Sequence, residues 1–196
     1  MTTRATPPGD PADFLGPWRR VFGAAAPLGW ALRGTHGARW TRFHALPGSE
    51  RYARTPAERA IIRARANALA TEVLGPRAEI WIACARYPGV PPDPDGPERR
   101  LGMGPAMTWR DPEEDPGDQV EIAFQAARFA WAPGSLDRLF DEVAEDLADA
   151  VLFSPERGAA LAPYAGGFDV FLPSEGELDR IETRHADWMS DRPDRL

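Results

Sequence analysis

Arg39-Trp40-Thr41-Arg42-Phe43-His44-Ala45-Leu46-Pro47-Gly48-Ser49-Glu50-Arg51-Tyr52 interleaves aromatics, arginines and a histidine and then breaks at a Pro-Gly turn. As a strand, residues 40 to 46 put Trp40, Arg42, His44 and Leu46 on one face and Thr41, Phe43 and Ala45 on the other. One face is therefore part cationic and part aromatic, and no other segment is as dense in recognising side chains.

Immediately downstream, Thr55-Pro56-Ala57-Glu58 starts a helix: Thr at the cap, Pro at the first helical position, Glu three residues on to close a capping box. Ile62, Ala66, Leu69 and Val73 then recur on one face, and Gly75-Pro76 ends it with a left-handed cap and a residue that cannot continue. Ile80 to Ala85 is apolar on both faces, as a strand covered on both sides must be. From Tyr87 to Glu98 the prolines at 88, 91, 92, 94 and 97 dictate an extended surface loop, a lid or an insertion. Pro105 to Arg110 reads as a strand. In the run Gln119 to Trp131, Val120, Ile122 and Phe124 are even and Phe129 and Trp131 odd, which predicts a bulge near Ala126 to Arg128.

Ser135 is the expected cap of a helix with Leu136, Leu139, Phe140, Val143, Leu147 and Ala150 as its apolar stripe. Strands are expected at Ala150 to Phe153 and Phe168 to Leu172. Ser174 with Glu177 predicts a second capping box, on a helix placing Leu178, Ile181, His185 and Trp188 together. Upstream, a short helix is expected from Pro17 to Ala25, with Pro27 to Arg33 leading through the Gly34 and Gly37 turns into the first strand. The pattern is α+β: a single mixed, mainly antiparallel sheet with helices packed on it, in one domain over 13–190, between a disordered segment 1–12 and a tail 191–196.

Composition excludes several classes. The net charge of -7 and pI near 5.0 argue against a general nucleic-acid binder. Every one of the 23 basic residues is arginine. Without lysine there is no Schiff-base or P-loop lysine chemistry, and the arginines read as a base-composition bias. The single Cys84 cannot form an internal disulfide, which points to a reducing cytoplasm, and no stretch is apolar enough to span a membrane. His36, His44 and His185 lack HxH or HExxH spacing, the loop Asp111 to Asp118 lacks an ordered cation-ligand pattern, and GxSxG is missing. No metal or cofactor is expected.

Two candidate sites remain. Arg42, His44, Arg51, Asn67 and Asp169 would make a polar pocket under the proline-rich loop: a histidine to move protons, an aspartate to orient it, arginines to hold a phosphate or carboxylate. Asp169 is odd in an apolar strand and follows Gly166-Gly167, which admits a close approach of backbone or ligand. The alternative is a structural polar network. The other candidate is acidic, with Asp137, Asp141, Glu142, Glu145, Asp146 and Asp149 crowding one helix, the last two near its C-terminus, either docking a basic partner or solvating an outer face.

The runs Pro27-Leu28-Gly29-Trp30-Ala31-Leu32-Arg33, Arg39 to Tyr52, Pro163-Tyr164-Ala165-Gly166-Gly167-Phe168-Asp169 and Trp188-Met189-Ser190-Asp191-Arg192-Pro193 together resemble a family of small uncharacterised bacterial proteins common in actinobacteria. The resemblance spans nearly the whole chain and implies a shared architecture without an established activity. The family's signature resembles Arg-Trp-x-Arg-Phe-His, Leu-Pro and Arg-Tyr, then a helix with Arg-His-Asn. Here that helix reads Arg65-Ala66-Asn67, so a catalytic role for the family histidine would be lost at Ala66. The expectation is a cytoplasmic interaction module, in its specific form an immunity-type neutraliser of a basic toxin. The alternative is a small enzyme or ligand-binding protein built on the five-residue pocket.

Overall fold

The computed structural model describes residues 10–190; the expected disorder of 1–9 and the tail 191–196 lie outside the described residues. Seven strands form one sheet: β1 (Trp40–His44), β2 (Glu79–Arg86), β3 (Gly104–Trp109), β4 (Ile122–Ala130), β5 (Ala150–Ser154), β6 (Ala159–Tyr164) and β7 (Gly167–Phe171). Their order is β1-β7-β6-β5-β2-β4-β3. Every pairing of these strands is antiparallel, in keeping with the single, mainly antiparallel sheet expected from the sequence. Short connections such as the Gly166 turn between β6 and β7 need no parallel crossover.

Helices cover both faces. On one lie α3 (Pro56–Leu74), α5 (Asp137–Ala144) and α6 (Glu175–Arg184), which bury Phe43, Ile80, Ile82, Leu152, Leu161, Phe168 and Val170. On the other, the 3-10 turn Pro11–Phe14, α1 (Leu15–Phe22) and α2 (Gly29–His36) bury Trp81, Ala83, Val151, Phe153, Ala162 and Phe171 under Phe14, Trp18, Phe22 and Leu32. A short α4 (Pro97–Arg100) closes the proline-rich loop. Double coverage explains why β2 is apolar on both faces, as its sequence required.

It also explains the parity switch in β4, which is not a bulge. The pairing of β4 with β2 runs without interruption from Ala123 to Ala130. Ile122, Phe124 and Ala126 pack toward the α1/α2 layer, while Phe129 and the following Trp131 pack toward the α3/α5 layer, so each half of the strand is apolar on a different side. The register shift lies on the neighbouring β3, between Pro105 and Met107.

The long helix α3 forms as its sequence dictates. Thr55 Oγ1 accepts from Glu58 N, Glu58 Oε2 accepts from Thr55 N, and Gly75 closes the end at φ 96°. Elsewhere the local expectations shift. The first helix begins at Leu15, preceded by a turn over Pro11–Phe14 that Asp10 caps, and Pro17 sits in the helix's first turn. Residues 29–36 form a helix and not a lead-in, because Leu28, Ala31 and Leu32 bury one side despite the flanking glycines. Strand β1 stops at His44, so Leu46 leaves the Arg42 face and joins Phe43 in the core. Ser135 bonds Ala132 and does not cap α5, whose N-cap is Leu136. That helix ends before Asp146, which adopts φ 57°, leaving Leu147 70 % exposed. Ser174 Oγ donates to Glu177 Oε2 and accepts from no backbone N–H of the helix, so the two side chains bond each other and the expected second capping box does not form.

Candidate functional site

The antiparallel register brings the end of β1, the start of β7, the end of β6 and the start of β5 to one end of the sheet. Arg42 stands opposite Asp169 across the β1–β7 pair. Odd-numbered residues of β7 face the α1/α2 layer, so a carboxylate is carried into the interior at 2 % exposure. Arg42 clasps it through Nε at 2.8 Å and Nη2 at 3.2 Å, and Trp40 Nε1 donates to Oδ1 at 2.9 Å. Burial alone would lower the Arg42 guanidinium, but the hydrogen bonds and charge of Asp169 outweigh it and raise it. The guanidinium lies 4.7 Å from the Tyr164 ring centre and 5.4 Å from that of Trp40, so it is held by a carboxylate and two ring faces. Burial pushes the Tyr164 phenol up to about 12, with nearby Arg42 opposing, so it is a neutral donor at ordinary pH.

Helix α2 forms the roof. A side chain at Gly29 would come within 3.2 Å of both Asp169 Oδ2 and Ala162 Cβ, so glycine lets the first turn of the helix close on the carboxylate. One turn further, Arg33 extends over Trp40 (5.6 Å to the ring centre) and reaches 3.7 Å from Asp169. That separation is an ion pair without a hydrogen bond, and among the described residues the Arg33 guanidinium hydrogen-bonds to nothing. Between α2 and strands β5 and β6 opens a cleft of about 230 Å³, walled by Leu28, Trp30, Ala162 and Tyr164 and carrying Arg33 and Asp149 at its polar edge. Asp149 also faces Tyr87, whose phenol is raised by burial and by a hydrogen bond to that carboxylate.

The five residues expected to share a pocket separate. Arg42 and Asp169 meet. His44 lies one alternation further along the same strand face, paired with Gly167, with Nε2 at 3.1 Å from Ser49 Oγ. Arg51 packs across Gly166 and pairs with Asp146 at 3.2 Å. Asn67 is on the opposite face of the sheet: its amide donates to Arg63 O and Asp137 Oδ1, each at 2.7 Å, and accepts from Gly134 N at 2.6 Å, tying α3 to the start of α5. The proline-rich loop covers a different cleft, of about 340 Å³, lined by Tyr87, Asp93, Glu98, Glu142 and Leu147. Sequence reasoning missed Arg33, Trp30 and Tyr164; the spacing of Leu28, Ala31 and Leu32 was the available signal, since it makes the segment a helix and sets Trp30 and Arg33 one turn apart.

The acidic residues are each engaged within the chain. Asp137 accepts from Asn67; Asp141 pairs with Arg63; Glu142 pairs with Arg100 and Arg138; Glu145 pairs with Arg59; Asp146 accepts from Arg51 and from Tyr52 at 2.6 Å. Among the described residues no three His, Cys, Asp or Glu side chains are placed to hold a metal ion, and no helix is long and apolar enough to cross a membrane.

Residues 28–193 match the family model described as a domain of unknown function, DUF3885, and the chain belongs to that family. No curated protein and no solved structure matches the chain.

Proposed function

We propose that this member of the DUF3885 family binds a small molecule through a carboxylate or phosphate directed to Arg33 in the cleft between α2 and strands β5 and β6. The observation that carries the reading is the state of Arg33. It lines an open cleft with its side chain 34 % exposed, is oriented by Trp40 and by the charge of Asp169, and its guanidinium donates no hydrogen bond among the described residues. A guanidinium oriented in this way offers a fork that matches a planar or tetrahedral anion. Arg42 and Asp169 act beneath it as the support that fixes the floor, and Asp149 across the cleft can accept an N–H or O–H of the same ligand.

The internal pairing of the acidic residues on and after α5 weighs against an immunity-type role, because their charge is already answered by arginines of the same chain. A cytoplasmic setting fits the single buried cysteine. The test is calorimetric titration with a panel of small phosphates and carboxylates, wild type against Arg33→Gln. A hydrogen bond to a charged group contributes about 1.5–3 kcal/mol, so the variant should lose roughly 10- to 150-fold in affinity while its melting temperature holds. Equal affinity in the two proteins, or no anion bound by wild type, refutes the reading.

A further inference from the structure

On the far side of Trp30 lies a second and larger cleft, of about 490 Å³, between the end of α1, the outer side of α2 and the loop after β3. Trp30 lines both clefts. Trp30 is 46 % exposed although Trp is the largest apolar side chain available to the core, and among the described residues its ring partner is Trp109, edge-on at 5.6 Å and 65°. An exposed indole held in place by a second indole, beside an opening floored by Phe22 and Ala31, is shaped for a flat ring. The rim is polar at both ends. Thr35 Oγ1 holds His36 Nδ1 at 2.8 Å on one side, and the carboxylates of Asp111 and Glu113 stand on the other. Carboxylate acceptors at the rim favour a ring that carries N–H donors over a plain phenyl group.

Trp30 and Arg33 are three residues apart on one helix, so their side chains project from neighbouring points about 5–6 Å apart at Cβ. From this juxtaposition we infer that the ligand is an aromatic anion, with its anionic group on Arg33 and its ring laid across Trp30 toward Trp109. The inference rests on the anion-cleft reading above and adds the ring subsite to it. Two sources supply such a ligand, an aromatic carboxylate or a nucleoside phosphate, and matched pairs of ligands distinguish them.

The experiment titrates adenosine 5′-monophosphate against ribose 5-phosphate, and indole-3-acetate against acetate, by calorimetry. It uses wild type, Trp109→Ala and Arg33→Gln, with Trp30→Leu as a second ring variant and melting curves to confirm folding. In wild type, at least one ring-bearing ligand binds tenfold or more tightly than its ringless partner, and which pair shows the gain identifies the source. Trp109→Ala erases that gain and leaves the ringless anion unchanged; Trp30→Leu, whose side chain also walls the anion cleft, erases the gain as well; Arg33→Gln weakens both members of the pair. Ring-bearing and ringless anions binding within twofold of each other, both sensitive to Arg33→Gln, overturn the ring subsite and leave the anion cleft standing. A ring gain that survives both tryptophan variants overturns the subsite as well. Binding of none of the four ligands overturns both readings.

Discussion

Replacing Asp169 by alanine tests whether the Arg42 clasp holds the floor of the cleft. The Asp169 side chain is 4 % exposed and that of Arg42 12 %, so water reaches neither well. The substitution removes both Arg42 hydrogen bonds and the Trp40 indole bond, leaving a guanidinium with only the rings of Tyr164 and Trp40. Breaking a buried pair from one side costs about 3–5 kcal/mol, because the remaining charge stays desolvated and uncompensated. Arg33 loses its counter-charge too, but it is a third exposed and water takes up the difference. In a chain of this length each kcal/mol moves the melting temperature by about 2–4 °C, giving a fall of roughly 6–20 °C. Asp169→Asn should lie between, since its amide oxygen still accepts from Trp40 and Arg42. The assay is urea unfolding followed by tryptophan fluorescence and circular dichroism, closed into a cycle with Arg42→Met and the double variant Arg42→Met/Asp169→Ala. With both charges gone the double variant should recover roughly 2–3 kcal/mol relative to additivity. A loss under about 1 kcal/mol for Asp169→Ala, or an additive cycle, refutes the reasoning.

Gly167→Ala should destabilise by about 1–3 kcal/mol or more, since its Cβ would sit 2.6 Å from the Phe43 carbonyl oxygen and 2.5 Å from the Tyr164 hydroxyl, and the carbonyl belongs to the paired β1 backbone and cannot yield; chemical denaturation reads this. Thr55→Ala removes one half of the α3 capping box and should cost roughly 0.5–2 kcal/mol, with helix content at the midpoint unchanged. Burial, and then the charge of Arg39, hold the His36 imidazole below its usual 6.5. The unfolded chain therefore takes up the proton first, so stability contributed by this group is complete above pH 6.5 and declines as pH falls below it until the native histidine protonates in turn. His36→Gln should flatten that limb of the stability–pH curve; an unchanged slope between pH 6.5 and 5 would refute the assignment.

Helix α3 was legible at both ends because its start and stop are local chemistry: a cap, a proline, a box-closing glutamate, a glycine. Strand β2 was legible because double coverage writes itself as an unbroken apolar run. Strand β6 was not, because Ala159, Ala160 and Ala162 with Pro163 carry little periodicity; small side chains suit a tightly covered central strand but do not mark a face. Helix α2 was hidden by glycines at 29, 34 and 37, and Gly29 is required by the closeness of Asp169 and not by a turn. In β4 the parity switch has two physical causes, a bulge or a change in which layer covers the strand, and sequence does not separate them.

The same limit governs the site. Asp169 could be picked out as a charge in an apolar strand, but its partner is 127 residues away and is chosen by which strand lies at the sheet's edge, a matter of topology. Charge counts mislead for a related reason. A chain whose cations are all arginine gives each of them the same weight in the sequence. The fold then divides them: Arg51, Arg59, Arg63 and Arg100 answer the carboxylates on and after α5, Arg42 answers Asp169, and Arg33 is oriented without a hydrogen bond. Internal pairing is the test in each case: carboxylates of an acidic helix already paired inside the chain are less available to a docking partner, and paired guanidiniums of a cationic strand are less available to a ligand. Both tests point away from the residues with the most conspicuous charge and toward Arg33, which the sequence had placed in a connecting segment.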